Sequence, residues 1–510
     1  MAVSMFAAIE LGSYEVEMKI YEISSKNGVK EIERVAHIIE LGKNSYNERY
    51  IDFELIDEVC DVLYDFCKIM KTYGIHDYRV CATSAVREAE NCQNIVDRIR
   101  IRTGLKVQVL SNSEVRYIYN KAIAFREKEY ENIIKDGTVL VDMGSGSAQL
   151  TLFDKGKLIM TQNIPLGALR VREVLARLSV SGVNYKNVLE EYVDDDMEDI
   201  RKIFFRDTEI TNMIVTGEYV SKVFGNTGNV DERSYITRDE FLNLYDILLT
   251  SSAEDIEARF NIPREHVGVL IPSSMIYKKV QEITRAKKIW APNVKLCDGM
   301  VAEQAEKDKK IKFDKDFNND ILNASRVIAK RYMGNEEHLR FVEESSLNIF
   351  DAMKKVHGLG KRERLLLQIS SIVHECGKYI NVSYPGDCSF SIIMRTEIIG
   401  ISHMERVMVA NIVKYITDDI EYETLRIQGL GVENAMTVIK LAAILRLSNA
   451  LDKTHKQKCK NMKLKLTEKE LVIVVNTYED MTIERGLFSD NTFLFEQAYG
   501  IKPVIHVKRS

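Results

Sequence analysis

One pattern occurs twice in this chain and does most to limit what it can fold into. An apolar strand runs into an acidic residue, a turn of Gly and Ser, and a return strand, first as AAIELGSYEVEMKI and again as VLVDMGSGSAQLTLF. Residues 5–10 read as a buried strand, and 16–23 as a second strand with alternating character. The repeat of the whole unit predicts two α/β domains laid out on one plan.

The residue types at both turns suit one chemistry. Small residues let backbone N–H groups come close to an anion. Serine hydroxyls add donors. An acidic residue at the strand end can hold a hard cation through water. Either turn alone is as readily an ordinary hairpin. The same order of parts behind two apolar strands favours a phosphate clamp between Glu10-Leu11-Gly12-Ser13 and Asp142-Met143-Gly144-Ser145-Gly146-Ser147.

Around these turns the chain alternates strand and helix. A helix is predicted over 53–73, with Leu55, Val59, Val62, Leu63 and Phe66 on one face. YRVCATSAVR reads as strand, turn and helix, 106–110 as a short strand, and 114–124 as helix. From about residue 317 to 454 nearly everything has helical period, and strands return at 462–466 and 471–475. The domains drawn from this are 1–125, 126–305, 306–455 and 456–510. At about 100–200 residues per domain, 510 residues accommodate them.

Composition removes several function classes. A net charge of −5 gives no overall attraction to nucleic acid, so no nucleic-acid partner is expected. The eight cysteines form no CxxC pair, which fits reduced thiols in a cytoplasmic chain rather than a zinc ribbon or a disulfide framework. The N-terminus carries no basic leader, and no apolar run approaches the ~18–20 residues of a membrane span, so no membrane partner is expected either.

Several blocks in order resemble the exopolyphosphatase / guanosine-pentaphosphate phosphohydrolase (Ppx/GppA) family. AAIELGSYEVEMKI resembles its first phosphate loop, CATSAVREAEN its second block, and LSNSEVRYIY the start of its catalytic helix. VLVDMGSGSAQLTLF resembles its second phosphate loop, NIPLGALRVRE the block that follows, and LCDGMVAEQA the segment that returns to the first domain. More weakly, RLSNALDKTHKQ resembles the end of the family's helical third domain and FEQAYGIK its terminal motif. The resemblance implies two actin/hexokinase-like (RNase H-like, ASKHA) domains, an α-helical HD-like domain and a small α/β C-terminal domain. It also implies a homodimer, Mg²⁺ as cofactor, and release of orthophosphate from the end of inorganic polyphosphate or from guanosine pentaphosphate (pppGpp).

Carried over by position, the resemblance makes Glu10 and Asp142 metal-associated carboxylates. Gly12, Ser13, Arg87, Gly144, Ser145, Gly146 and Ser147 become phosphate-binding residues. Arg suits this role because its guanidinium grips phosphate in two prongs. The water-orienting carboxylate depends on register. With one residue deleted from the turn Ser111-Asn112-Ser113, Glu114 takes the catalytic position. Without the deletion Val115 takes it. The deletion keeps EVRYIY in register as a unit and is preferred, which makes Glu114 the expected catalytic residue.

Three residues depart from the family pattern. Glu10 stands where the family has Asp, Tyr14 where it has Asn, and Gln149 where the second loop has Glu. Gln149 brings no charge to Mg²⁺, so weaker metal binding or slow turnover is expected. In TGEYV, where the family shows a glycine pair, only Gly217 remains, which makes an adenosine pocket and an ATP-using kinase the poorer reading. The alternative to a hydrolase is a polyphosphate or (p)ppGpp binding or sensor protein on the same fold. The run Lys453, His455, Lys456, Lys458, Lys460, Lys463 and Lys465 is a basic stretch along which a polyanion could track, or else a solvated loop. HD-type domains hold metals with a His–Asp pair and further histidines. Here the pair is His374-Glu375, Cys388 replaces a later histidine, and His338, His357 and His403 show no firm ligand spacing. His374 then reads as a satisfied helix histidine, and the domain as a structural and substrate-path module.

Overall fold

The structure, a computed structural model, describes residues 3–508 except 27, 179–184, 206–207, 218, 226–233, 419, 421, 428 and 461. Residues 1 and 2 of the N-terminal reading and Glu218 of TGEYV lie outside the described residues. The chain forms two compact units, Met1–Phe317 and Asn318–Ser510.

The first unit holds two sheets with the same plan. In the first, β1 (Ser4–Leu11), β2 (Glu15–Ser24) and β3 (Gly28–Ile38) form an antiparallel meander. Parallel strands β4 (Asp77–Ala82) and β5 (Val107–Val109) are added beside β1. In the second sheet, β6 (Thr138–Met143), β7 (Ala148–Asp154) and β8 (Lys157–Ile164) form the meander. Strand β9 (Asn212–Thr216) pairs parallel with β6, and β10 (Ile236–Thr237) and β11 (Lys288–Trp290) complete the other edge.

Strand β1 is apolar from Met5 to Ile9 because both its faces are covered. Ala7, Ile9 and Leu11 join a core with Val59, Leu63 and Phe66 of the helix Phe53–Thr72. Phe6 and Ala8, on the opposite face, pack with Val115 and Ile118 of the helix Asn112–Arg126 and with Cys297 and Met300 of the helix Leu296–Lys307. Segment LCDGMVAEQA thus returns the chain to the first sheet. Each side chain the size of Phe66 or Leu63 contributes about 1.5–3 kcal/mol when fully buried.

The second unit is mainly helical. Its principal helices include Glu336–Ala352, Lys361–Val373, Pro385–Arg395, His403–Lys414 and Gly431–Ala450. A three-stranded sheet closes the chain: β12 (Lys463–Leu466), β13 (Glu470–Asn476) and β14 (Lys502–Lys508), with β13 and β14 parallel. Strands β12 and β13 fall where the sequence predicted them, and β14 was not anticipated. The basic run is partly tied down. Lys458 donates to Asp480 O and Glu484, and His455 turns its ring onto His338, while Lys456, Lys460, Lys463 and Lys465 stay exposed.

Candidate active site

The two hairpins superpose in register as well as in sequence. In the first, Glu10 faces Glu17 and Leu11 faces Val16. In the second, Asp142 faces Gln149 and Met143 faces Ala148. Each leaves a four-residue tip closed by one bond of 3.0 Å, Gly12 N–H to Glu15 O and Gly144 N–H to Ser147 O. Glu17 is therefore the first-hairpin counterpart of Gln149.

Packing fixes which way the tip peptides face. Ala168 N–H donates to Gly144 O, and Leu169 and Arg170 N–H donate to Ser145 O, at 3.0–3.1 Å. The Arg170 guanidinium takes Gly146 O at 2.7 Å. All peptides here are trans, so C=O of one residue and N–H of the next point opposite ways. The N–H groups of Ser145, Gly146 and Ser147 are thereby turned off the helix Ala168–Arg177. In the first hairpin Gly42 and Ile39 N–H take the carbonyls of Ser13 and Tyr14, which does the same for Tyr14 and Glu15 N–H. Such turned amides make anion-binding concavities. Close approach is needed to build the second: a Cβ on Gly167 would lie 2.2 Å from Gly146 C, and one on Gly146 would lie 2.3 Å from Tyr46 Oη.

Both tips line one cavity, together with Arg87, Asp142 and Glu17. Of the expected site residues, Glu10, Gly12, Ser13, Arg87, Asp142, Gly144, Ser145 and Ser147 border it. Gly146 does not border it and sits beneath Tyr46. The Ser13 hydroxyl is held by Tyr46 (2.7 Å), Ser84 (2.9 Å) and Ala85 N–H (3.1 Å). Arg87 donates to Leu110 O at 2.7 Å and Asn112 Oδ1 at 2.6 Å, which aims its guanidinium from the loop before the helix Asn112–Arg126.

Glu114 is not brought to the cavity. It is the third residue of its helix and closes a capping box: its Oε2 accepts from Ser111 N–H (2.8 Å) and Ser111 Oγ (2.9 Å). Gln108 donates to Oε1 at 3.4 Å. The next residue round the helix, Val115, borders the cavity instead. The physical reason is local: S-x-x-E at a helix start turns the Glu back on its own N-terminus. This geometry corresponds to the register without a deletion.

Asp142 is buried and accepts a bond from Thr216 Oγ1 at 2.9 Å. Burial pushes its carboxyl up to about 7, against the lowering pull of that bond and of Arg116. Arg116 is itself fully buried and donates to Gln149 Oε1 at 3.1 Å. On the first hairpin the Glu10 and Glu17 carboxylates and the Cys297 sulfur lie within 4.8 Å of one another. Glu17 is 1% exposed, with one oxygen on Arg34 and Lys295 and with Oε2 lacking a hydrogen-bond partner among the described residues. Burial pushes the Cys297 thiol well up, and it bonds Ala8 O, so it stays protonated. Glu10 and Asp142, both at this cavity, offer the carboxylate oxygens that suit a hard divalent cation, while Glu17 Oε2 remains an unused acceptor.

Sequence reasoning missed Glu17. Its signal was the alternation E-V-E-M-K, which sets Glu15, Glu17 and Lys19 on one face of a strand that is buried there. Tyr14, in place of the family's Asn, crosses into the core of the second sheet. Its hydroxyl donates to Glu265 O at 2.7 Å and its ring meets His266 edge-on at 5.2 Å.

The model of the Ppx/GppA phosphatase family matches residues 20–308, and that of the family's domain III matches 323–491. The chain belongs to the Ppx/GppA phosphatase family. Among curated proteins it is similar to a bifunctional 3-dehydroquinate synthase/phosphatase of Fusobacterium nucleatum, 24% identical over 33% of this chain and 26% of that one. It is also similar to exopolyphosphatase 1 of Mycobacterium leprae, 25% identical over 28% of this chain and 41% of that one. The chain thus spans between about a quarter and two fifths of these relatives' length. Among solved structures, an exopolyphosphatase from Cytophaga hutchinsonii has a TM-score of 0.52 at 17% identity, covering 61% of this chain and all of that one. This Ppx/GppA protein has paired actin-like domains followed by a helical domain and a small sheet. No helix among its described residues is long and apolar enough to cross a membrane.

Proposed function

We propose that this protein binds the terminal phosphates of inorganic polyphosphate or guanosine pentaphosphate between its two hairpin tips and hydrolyses the terminal anhydride there. One observation carries this reading: both tips, with their turned amides, border a single cavity that also receives Arg87 and the carboxylates Glu10, Glu17 and Asp142. The family's phosphatase activity supports the reaction class.

In this reading the tip amides and Ser hydroxyls hold the terminal phosphoryl, and Arg87 neutralises part of its charge. Glu10 and Asp142 would hold Mg²⁺. When bound, Mg²⁺ offsets the charge that builds on the phosphoryl oxygens. Glu17 Oε2, an acceptor with no hydrogen-bond partner among the described residues, orients the attacking water and accepts its proton late. Water adds to phosphorus, the bridging P–O bond breaks, and orthophosphate leaves. Glu114 acts only through the helix cap and is a positioning residue.

Orthophosphate release from long-chain polyphosphate with Mg²⁺ tests this. Glu17→Gln is expected to lose about 10²–10⁴ in rate, and Glu114→Ala a few-fold at most. Unchanged release in Glu17→Gln, or abolition in Glu114→Ala, contradicts the assignment. A second reading, a binder with little turnover, is favoured by the apolar Val115 at the cavity wall and by the neutral Gln149. Retained polyphosphate binding with no release above the Glu17→Gln background would establish it.

A further inference from the structure

Three hydroxyls meet behind the first tip. Tyr46 lies on the helix Leu41–Glu48, which Gly42 N–H ties to Ser13 O at 2.8 Å. The Tyr46 Oη lies 2.7 Å from Ser13 Oγ and 2.9 Å from Ser84 Oγ, and the two serine oxygens are 2.9 Å apart. Ala85 N–H also donates to Ser13 Oγ, at 3.1 Å. Ser13 and Ser84 border the phosphate cavity, and Tyr46 does not.

The hydrogens of this cluster can be followed one by one. Each hydroxyl has one hydrogen to give and two lone pairs to accept with. A phenol is a stronger acid than an alcohol, so Tyr46 donates to Ser13. Ser13 Oγ then accepts from both Tyr46 and Ala85, which fills its lone pairs. Its own hydrogen is left to donate, either to Ser84 Oγ or to an oxygen in the cavity. Because the Tyr46 hydrogen is spent on Ser13, Ser84 must be the donor in its bond to Tyr46 Oη. An acceptor that enters the cavity beside Ser13 completes a chain: Ser84 donates to Tyr46, Tyr46 to Ser13, and Ser13 to the ligand. Donations in series polarise one another, which strengthens the last of them.

The same cluster meets the second tip. A Cβ on Gly146 would lie 2.3 Å from Tyr46 Oη and 2.7 Å from Ser84 Oγ. The Arg170 guanidinium lies over the Tyr46 ring, 4.3 Å from its centre. Arg170 is itself fixed, by Gly146 O at 2.7 Å and Glu88 at 2.5 Å. The second tip therefore clamps the ring that aims the hydroxyl at the first.

We infer that Tyr46 is a positioning residue for the phosphate site, fixing the Ser13 hydroxyl as a hydrogen donor to the terminal phosphoryl. The inference rests on the reading of the cavity proposed above. Ser13 then offers no acceptor to a P–OH or alcohol group, so this point of the cavity selects an ionised phosphoryl oxygen, which can only accept.

The probe is methylenediphosphonate, whose P–C–P bridge cannot turn over, bound to the full chain with Mg²⁺ and followed by calorimetry. Ser13→Ala should weaken binding roughly 10–100-fold, as the loss of a hydrogen bond to a charged group. Tyr46→Phe keeps the ring over Arg170 and should weaken it roughly 3–10-fold. With Ser13→Ala already in place, adding Tyr46→Phe should change affinity less than about twofold, because the phenol acts on the ligand only through Ser13. Equal weakening by Tyr46→Phe with and without the Ser13 hydroxyl is what packing alone would give, and overturns the inference. So does an unchanged affinity in Tyr46→Phe while Ser13→Ala and Arg87→Ala show their full effects. If neither Ser13→Ala nor Arg87→Ala alters affinity, the cavity reading itself fails and takes this inference with it.

Discussion

The two hairpin tips share strand register, tip length and closing hydrogen bond, yet they divide the chemistry. The first carries charge: Glu10 and Glu17 face each other across the strands, and in the proposed reading one holds the cation while the other orients the water. The second carries dipoles: its amides are turned by the helix Ala168–Arg177, its one carboxylate is buried on Thr216, and the facing residue is a neutral amide clamped by Arg116. The charge absent at Gln149 is present at its counterpart Glu17. A repeated backbone frame therefore constrains where a charge can sit without fixing which copy supplies it.

The sharpest way to break this division is to neutralise the charged tip. Glu17→Gln should cost the 10²–10⁴ in phosphate release already given, with polyphosphate still bound. The reciprocal change, Gln149→Glu, should not restore it, because Arg116 would pair with the new carboxylate. Next in size is Arg87→Ala. Removing a charge-assisted phosphate contact worth about 1.5–3 kcal/mol should weaken polyphosphate binding roughly 10–150-fold by calorimetry. Unchanged affinity would place the anion elsewhere.

The dipolar tip is tested by pH. Asp142 has its carboxyl pushed up to about 7 by burial, so its ionised form gains only above that pH. Mg²⁺-dependent polyphosphate binding should rise about tenfold per pH unit below 7 and level off above it, and Asp142→Asn should flatten the profile. Stability without ligand runs the opposite way. A carboxyl held above its unfolded value stabilises the fold fully at about pH 4 and loses that contribution as pH rises through 7. A denaturant midpoint that climbs over this range would contradict the burial argument. The smallest effect is expected from Glu114→Ala, which removes half of a capping box and should lower stability by about 1 kcal/mol with release rates little changed.

Much of this was legible in the sequence. The doubled strand–acid–glycine pattern placed both tips with Asp142 and the serines, and Arg87 came from the family resemblance of CATSAVREAEN alone. Glu114 was harder, because one residue of register in a turn decides between a capping and a cavity-facing carboxylate. The S-x-x-E spacing of Ser111 and Glu114 was the available signal for the cap. Glu17 was written in the alternation of β2 but hidden by the habit of reading alternate charged residues as solvent-facing. The histidines of the helical unit were legible only in part: the His374-Glu375 pair stood out, but its approach to His338, and that of His455, depends on helix packing between distant segments. Strand β14 likewise depends on parallel pairing with β13, which short sequence windows do not show.

The central claim is that a terminal phosphate sits between the two tips. A crystal of the full chain grown with Mg²⁺ and tripolyphosphate tests it directly. The account predicts terminal-phosphate density between Gly12 and Gly144, contacted by Arg87, with Glu17 within one water of the phosphorus. Density confined to the lysines around Lys456–Lys465, or a phosphate with Glu114 rather than Glu17 beside it, would contradict it.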